Sequence, residues 1–364
     1  MNTGVFVEQF NTYFISYKKS ILDALTQLNM VSDNGMLTLF VVDDNNCVVG
    51  SLTDGDCRRA LISGIGLNET VASVMHKDFT YISDSNYSVE LIKHIRQKRL
   101  KLVPYLNDDK TMRKILDFSG GKSYLPIDAV LMAGGKGERL RPLTLTTPKP
   151  LLKVGDKPII DYNIDNLMHY GVDHIHVTVN YLAEQIEDHF SSEKNGVKIN
   201  CVREGEKFLG TVGGVQYITD WHNDVILLMN SDLFTNINLE DFYLHFLKHK
   251  ADMSVAAMPY NVNIPYGILE LEDTRNIIGI KEKPSYYYYA NAGIYLFKKE
   301  LIDFIPKNEY YDATDFLLDV IKSKRKVVRF PISGYWIDIG KPTDFQKVQE
   351  IAGHLGKLKN FDTW

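Results

Sequence analysis

Long apolar runs, paired cysteines and an excess of positive charge are all missing from this sequence of 364 residues. No apolar run approaches the roughly 18 residues that cross a membrane, so we expect no membrane span. Cys47, Cys57 and Cys201 form no Cys-x-x-Cys pair, which argues against a zinc ribbon or a dithiol redox centre. The net charge of −5 argues against broad nucleic-acid binding.

The first residues also lack the pattern of an exported protein. The stretch MNTGVFVEQFNTYF has no basic segment followed by an apolar core, which argues against a secretory signal. Together with the unpaired cysteines, this predicts a cytoplasmic protein that binds neither a membrane nor nucleic acid. Because the overall charge is negative, an anionic substrate must meet a local cluster of cations.

Small residues around Ser119–Ser123 predict a domain boundary, with one domain at residues 1–120 and a second at 121–364. The first domain has the pattern of an α+β unit that is repeated once, with the second copy eroded. In the first copy, Ser20 and Thr53 are suited to cap helices, and two strands form a hairpin between them. In the second copy we expect a helix at Ser88–Lys98, a strand at Lys101–Leu106 and a short helix at Thr111–Asp117.

The segment Gly50–Asp56 (GSLTDGD) resembles the nucleotide-binding signature of CBS domains. The resemblance implies a CBS pair in which Thr53 and Asp56 hold the ribose of an adenine nucleotide. The second copy lacks the motif, so at most one such site per chain is expected. The same two side chains are equally suited to cap a helix and nothing more, and the sequence leaves both readings open.

A glycine-rich segment follows the first predicted strand of the second domain, Ile127–Ala133. The backbone N–H groups of Gly134, Gly135 and Gly137 can approach an anion closely, although the spacing fits neither a P-loop nor the dinucleotide fingerprint. Between residues 136 and 153 the chain carries five cations and one acid. A solvated basic face is the alternative, but the interleaved prolines favour a fixed phosphate-binding loop.

Residues Leu131–Ile160, LMAGGKGERLRPLTLTTPKPLLKVGDKPII, resemble the opening signature of the sugar-1-phosphate nucleotidylyltransferases. Glu138 departs from it, since Thr or Ser is more usual there. The resemblance implies that Arg139 and Lys149 contact the phosphates of an NTP. With the CBS pair ahead of it, the chain is similar to CBS-fused guanylyltransferases of the glucosamine-1-phosphate and mannose-1-phosphate type, which serve nucleotide-sugar and cell-surface polysaccharide synthesis.

Apolar runs alternate with helical patterns through the rest of the second domain. This alternation predicts an α/β fold, with a Rossmann-like, mostly parallel sheet flanked by helices and a site at the carboxyl ends of its strands. Thr211–Ile218 is among the segments expected to be helical.

The resemblance also implies the remaining site residues. Asp232 and Asp338 would bind Mg²⁺, and the Gly210 backbone would approach the base. Lys283 would pair with the sugar phosphate as a third catalytic cation. The residues expected to contact the sugar are Tyr266, Gly267, Glu282 and Asn291.

Two acids before Gly210 bear on the choice of base. Guanine offers two adjacent N–H donors, which a carboxylate accepts together, whereas uracil and thymine suit an amide better. Glu206 or Glu204 therefore favours GTP, although both could be solvated loop acids. UTP, dTTP and CTP remain the alternatives.

The expected reaction transfers a nucleotidyl group from an NTP to a hexose- or hexosamine-1-phosphate and releases pyrophosphate. A catalytically inactive, sugar-nucleotide-sensing subunit is the alternative, but the complete set of reactive residues favours an enzyme. We expect a homo-oligomer. The run Tyr286–Tyr289 suits either a sugar-stacking surface or an interface.

Overall fold

The computed structural model of the protein describes residues 10–32, 37–119, 123–194, 196–205 and 207–359. Two units divide these residues. The first runs to Tyr124 with short later pieces, and the second begins at Leu125. The domain boundary expected between residues 120 and 121 lies outside the described residues. Each unit has buried apolar clusters of its own.

In the first unit, strands β1 to β3 form one sheet and β4 pairs with β5 in a hairpin. Helices α1 and α2 begin where the sequence predicts, because Ser20 and Thr53 cap them as expected. The described elements are β1 (Phe14–Ser16), α1 (Ile21–Met30), β2 (Thr38–Val42), β3 (Val48–Thr53), α2 (Asp54–Ile62), α3 (Val89–Gln97), β4 (Leu102–Leu106) and β5 (Met112–Asp117).

The short helix expected at Thr111–Asp117 is wrong, because Met112–Asp117 is the antiparallel strand β5. The turn before Met112 makes this segment a strand rather than a helix. The N–H of Asn107 donates to the Thr111 carbonyl at 2.9 Å, and Lys110 has a left-handed backbone, φ 64°. This closes a hairpin with β4 and buries Ile115 and Leu116. A segment of six residues is too short for its own pattern to decide between helix and strand.

The second unit alternates strands and helices along most of its length. Its described elements are β6 (Asp128–Met132), β7 (Lys153–Val154), β8 (Lys157–Pro158), α4 (Ile159–His169), β9 (His174–Val179), α5 (Ala183–His189), β10 (Ile199–Arg203), β11 (Val225–Asn230), β12 (Leu233–Thr235), α6 (Leu239–Lys248), β13 (Met253–Asn263), β14 (Ile268–Leu271), β15 (Ile277–Lys281), β16 (Ser285–Lys298), α7 (Ala313–Lys322), β17 (Val327–Pro331), β18 (Trp336–Asp338) and α8 (Pro342–Lys359).

A seven-stranded sheet with the order β10-β9-β6-β11-β16-β13-β17 forms the centre of this unit. Among these strands only β16 runs antiparallel to its neighbours, so the mostly parallel α/β sheet is confirmed. Strands β6 and β11 are apolar and buried, and they pair in parallel with Met132 opposite Asn230. Their carboxyl ends therefore lie side by side, and the loops that follow them share one edge of the sheet.

The helix expected at Thr211–Ile218 is wrong, since only Gly213–Tyr217 forms a 3₁₀ turn. Hydrogen bonds to a distant segment fix the path of the backbone at the start of this segment. The N–H of Thr211 donates to Oδ1 of Asp312 at 2.9 Å, and that of Val212 donates to the Tyr311 carbonyl at 3.2 Å. The adjacent glycines of this segment lower its helix propensity further.

Among the helices of the described residues, none combines the length and the apolar character needed to cross a membrane.

Candidate active site

The segment Gly134–Gly137, here called the glycine loop, follows the carboxyl end of β6 and forms one wall of a pocket. The backbone of Gly137 is left-handed, φ 61°, and its carbonyl accepts a hydrogen bond from the Thr144 hydroxyl at 2.9 Å. A Cβ at Gly134 would lie 2.7 Å from Oε1 of Glu204. A side chain at residue 134 would therefore displace the buried Glu204 carboxyl group, and glycine keeps the backbone of the loop open to the pocket.

The two cations that the resemblance assigned to phosphate follow in short 3₁₀ turns. Arg139 lies in the turn Glu138–Leu140, and its guanidinium packs against Gly340, where a Cβ would lie 3.3 Å from Nη1. Lys149 begins the turn Lys149–Leu151, whose start is fixed by prolines on either side. The Lys149 side chain is only 11% exposed, which a cation tolerates only beside an anion.

Two carboxylates meet Lys149 in the pocket. Asp232 follows β11, and Asp338 ends β18, which pairs with β12 so that Leu233 lies opposite Asp338. The Lys149 ammonium donates to Oδ2 of Asp232, and it lies 3.9 Å from Oδ1 of Asp338. Burial and the negative charge of Asp232 raise the pKa of Asp338, while Lys149 and Arg139 oppose the rise.

Asp232 has a buried oxygen, Oδ1, that has no hydrogen-bond partner among the described residues. A buried carboxylate oxygen without a partner is costly, and a divalent cation would satisfy it. No cluster of three or more His, Cys, Asp or Glu side chains in the described chain could hold a metal. The donor set fits Mg²⁺, which takes one or two carboxylates and completes its shell with water and substrate phosphate.

Glu204 is the acid that reaches the pocket. It lies just after β10 and is buried, and its Oε2 accepts the Leu209 N–H at 3.3 Å. Burial raises the pKa of Glu204 to about 7, against the opposing effect of the Leu209 hydrogen bond. Glu204 is therefore not a solvated loop acid. Glu206, the other acid proposed to read the base, lies outside the described residues.

Gly210 bounds the same pocket with a left-handed backbone, φ 81°. A Cβ there would lie 2.5 Å from the carbonyl oxygen of Tyr311. Glycine is therefore required at the position expected to face the base.

Eight of the predicted residues line this one pocket, and the structure brings them together from five separate stretches of chain. The lining also includes neighbours that the sequence analysis did not single out, although they flank the motifs that it used. The predicted residues are Gly134, Gly135, Arg139, Lys149, Glu204, Gly210, Asp232 and Asp338, and the additional ones include Phe208, Thr211, Asn230 and Ser231.

The residues expected to contact the sugar, and Lys283 beside them, all lie outside the pocket wall. Tyr266 and Gly267 precede β14, and Glu282 and Lys283 follow β15. A Cβ at Gly267 would lie 3.0 Å from Oε2 of Glu282, so these two loops touch each other. None of the four residues lines the pocket.

Asn291 lies nearer to the pocket, on β16. Its amide donates to the Tyr295 hydroxyl at 2.7 Å and accepts from the Gly293 N–H at 3.0 Å. Gly293 packs against Asn230 of the pocket wall. Three of the four tyrosines at Tyr286–Tyr289 are exposed, and the Arg329 guanidinium lies 3.9 Å from the ring centre of Tyr289.

In the first unit, Thr53 and Asp56 form a capping box at the start of α2. The Thr53 hydroxyl accepts the Asp56 N–H at 3.2 Å, and Oδ2 of Asp56 accepts the Thr53 N–H at 2.8 Å. Oδ1 of Asp56 pairs with Arg59 at 2.6 Å. The capping role is therefore present, and an adenine-nucleotide site at these residues stays a prediction.

Two family models match this chain. Residues 128–353, more than half of the sequence, match the model described as nucleotidyl transferase. Residues 7–63, the first of the two predicted CBS copies, match the CBS domain.

Curated relatives match the second unit. The bifunctional protein GlmU of Methanocaldococcus jannaschii is 36% identical over 60% of this chain and 52% of its own length. A UTP–glucose-1-phosphate uridylyltransferase of Synechocystis is 31% identical, over 64% of each chain. A mannose-1-phosphate guanyltransferase named in Sulfolobus acidocaldarius is 32% identical over 61% of this chain and 62% of its own. The chain thus spans between about half and two thirds of these relatives.

Gly210→Ala tests the geometry of the pocket. The new methyl group would overlap the Tyr311 carbonyl in a backbone conformation that alanine rarely adopts, so we expect a loss of more than about 1 kcal/mol in stability. Nucleotide binding, measured by calorimetry, should weaken with it.

Gly205→Ala is the matched control, because its nearest neighbour would be the Tyr217 hydroxyl at 3.4 Å. It should melt and bind nucleotide as the wild type does. Equal melting temperatures and affinities for the two variants would contradict the geometry described for Gly210.

Proposed function

The chain belongs to the nucleotidyl transferase family, and on that premise we propose that it transfers a nucleotidyl group from an NTP to a hexose- or hexosamine-1-phosphate. One observation carries the proposal. A glycine loop, two cations and two carboxylates line a single pocket at the carboxyl ends of parallel strands. That combination suits the phosphates of a nucleotide and the charge that moves when pyrophosphate departs.

In this reaction an oxygen of the sugar 1-phosphate attacks the α-phosphorus of the NTP. A new P–O bond forms as the bond from the α-phosphorus to the bridging oxygen breaks, and the electron pair leaves with pyrophosphate. The attacking phosphate is already anionic, so no protein nucleophile or base is required. The protein contributes positioning and the neutralisation of charge.

Each of three cations neutralises a different part of the phosphate charge. Arg139, beside the glycine loop, stabilises the departing pyrophosphate, and Lys149 contacts phosphate near the reacting centre. Lys283 pairs with the sugar phosphate, which reduces the repulsion between the two anionic substrates. The sugar itself would contact the loops around Tyr266 and Glu282, and Asn291 on β16.

Asp232 and Asp338 would hold Mg²⁺. When bound, the ion supplies positive charge to the reacting phosphates. The unpartnered Oδ1 of Asp232 supports this assignment. So does the raised pKa of Asp338, because a nearby cation relieves the repulsion between the two carboxylates.

GTP is the favoured nucleotide. The ionised Glu204 carboxylate can accept two adjacent N–H groups of guanine, and a relative named as a guanyltransferase agrees with that choice. UTP is the leading alternative, because another relative is named as a uridylyltransferase. The homo-oligomeric state and a role in cell-surface polysaccharide synthesis remain predictions from the sequence.

Pyrophosphate release in the presence of Mg²⁺ tests the reaction. GTP, UTP, dTTP, CTP and ATP would be crossed with the 1-phosphates of glucose, mannose, glucosamine and N-acetylglucosamine. We expect a GTP-dependent signal that Asp232→Asn lowers by at least about a hundredfold, since the variant loses a charge that faces the reacting phosphates.

Asp224→Asn is the matched control, because Asp224 lies just before β11 with its side chain 98% exposed. It should retain wild-type turnover. Full turnover by Asp232→Asn would refute the assigned role of that carboxylate. If the folded wild type releases no pyrophosphate with any pair of substrates, a non-catalytic, nucleotide-sensing protein would be favoured.

The raised pKa of Glu204 predicts that the preference between GTP and UTP depends on pH. Its pKa of about 7 means that the acceptor carboxylate is lost as the pH falls through that value. We therefore expect the ratio of kcat/KM for GTP to that for UTP to fall by up to about tenfold per unit below about pH 7. The titration of the substrate phosphates cancels in this ratio.

In Glu204→Gln the ratio should be lower and independent of pH. Glu187→Gln, which removes an acid paired with Arg203 rather than one lining the pocket, should leave it unchanged. A wild-type ratio that is flat between about pH 6 and about pH 8 would contradict this role of Glu204.

A further inference from the structure

The buried side-chain amide of Asn163 donates hydrogen bonds to the turn that carries Asp232. Asn163 lies on α4 and is 3% exposed. Its Nδ2 atom donates to the carbonyl of Ser231 at 3.3 Å and to the carbonyl of Leu233 at 3.0 Å. These two residues flank Asp232 on either side, so one side chain fixes both ends of the turn.

Other contacts hold the same turn from different directions. The Ser231 hydroxyl donates to the Met132 carbonyl at 2.6 Å, which joins the turn to the end of β6. The Ile339 N–H donates to the main-chain oxygen of Asp232 at 3.3 Å, which joins it to the segment after β18. Asn163 supplies the contact from the helix, and an amide is a short side chain that can donate two hydrogen bonds from one nitrogen.

This arrangement fixes the direction of the Asp232 Cα–Cβ bond. The carboxylate itself receives one strong contact, from Lys149, and its other oxygen has no partner among the described residues. The direction in which that oxygen points is therefore set by the backbone of the turn. A small rotation of the turn would move it relative to Asp338.

We propose that Asn163 is a positioning residue that holds the Asp232 carboxylate in the orientation required to bind a divalent cation. The proposal rests on the proposed function, since it takes Asp232 as a ligand of the ion. Residues that orient metal ligands typically change metal affinity by about 10- to 100-fold when they are removed. Asn163 acts on the ligand through the backbone and does not contact the substrate pocket.

The test compares the same substitution at two positions of one helix. Asn163→Leu keeps the approximate size of the side chain and removes both hydrogen bonds. Asn166→Leu makes the same substitution one turn later and removes a hydrogen bond to the Ile237 carbonyl at 3.5 Å, beyond β12. Both variants lose a tie between α4 and the chain after β11, but only the first touches the turn of Asp232.

The primary measurement is Mn²⁺ affinity of the full-length protein, from electron paramagnetic resonance of the free ion. Asn163→Leu should weaken Mn²⁺ binding by about tenfold or more, and it should raise the Mg²⁺ concentration needed for half-maximal turnover by a similar factor. The KM for the sugar phosphate should stay within about twofold. Asn166→Leu should match the wild type in all three quantities.

Equal Mn²⁺ affinity in Asn163→Leu and Asn166→Leu would overturn the proposal, because the amide would then serve only to pack α4. A wild-type protein that binds no Mn²⁺ and transfers no nucleotide would overturn the proposed function instead. If Asn163→Leu does not fold, Asn163→Ala is measured in its place. It is smaller and uncharged and also removes both hydrogen bonds, so the same loss of Mn²⁺ affinity is expected.

Discussion

The buried ammonium of Lys149 beside Asp232 and Asp338 is the interaction on which the rest of the site depends. Removing these charges from water costs about as much as their attraction returns, so the cluster adds little to stability. It is held together by distant parts of the chain, namely a proline-flanked turn, the end of β11 and the end of β18. The fold thus maintains a cluster of charges that adds little stability, which is consistent with the proposed role in binding phosphate and Mg²⁺.

The site also requires the backbone at two glycines to lie very close to neighbouring atoms. Gly134 and Gly210 each lie where a methyl group would overlap a neighbouring oxygen. Glu204 fills the space that the absent side chain of Gly134 leaves. Burial there raises the pKa of its carboxyl group to about 7. The same tight packing therefore shapes the nucleotide pocket and tunes the acid that faces it.

Local chemistry decided which parts of the structure could be predicted. Ser20 and Thr53 begin helices because their side chains satisfy nearby N–H groups, and apolar β6 and β11 lie at the centre of a sheet. The two errors have different causes. A tight turn pairs Met112–Asp117 with β4 in a hairpin, whereas adjacent glycines and hydrogen bonds to Asp312 and Tyr311 shape Thr211–Ile218. The motifs located eight residues of the pocket. The hydrogen bonds from Asn163 to the Asp232 turn depend on a tertiary contact, which the spacing of residues in the sequence does not reveal.

A crystal structure with Mn²⁺ and a non-hydrolysable GTP analogue would show which residues bind the ion, since anomalous scattering locates it without reference to activity. We expect a peak that contacts both Oδ1 of Asp232 and the Asp338 carboxylate, with Lys149 turned from Asp232 towards phosphate. A peak bound away from both carboxylates, or an analogue seated outside the glycine loop, would contradict it.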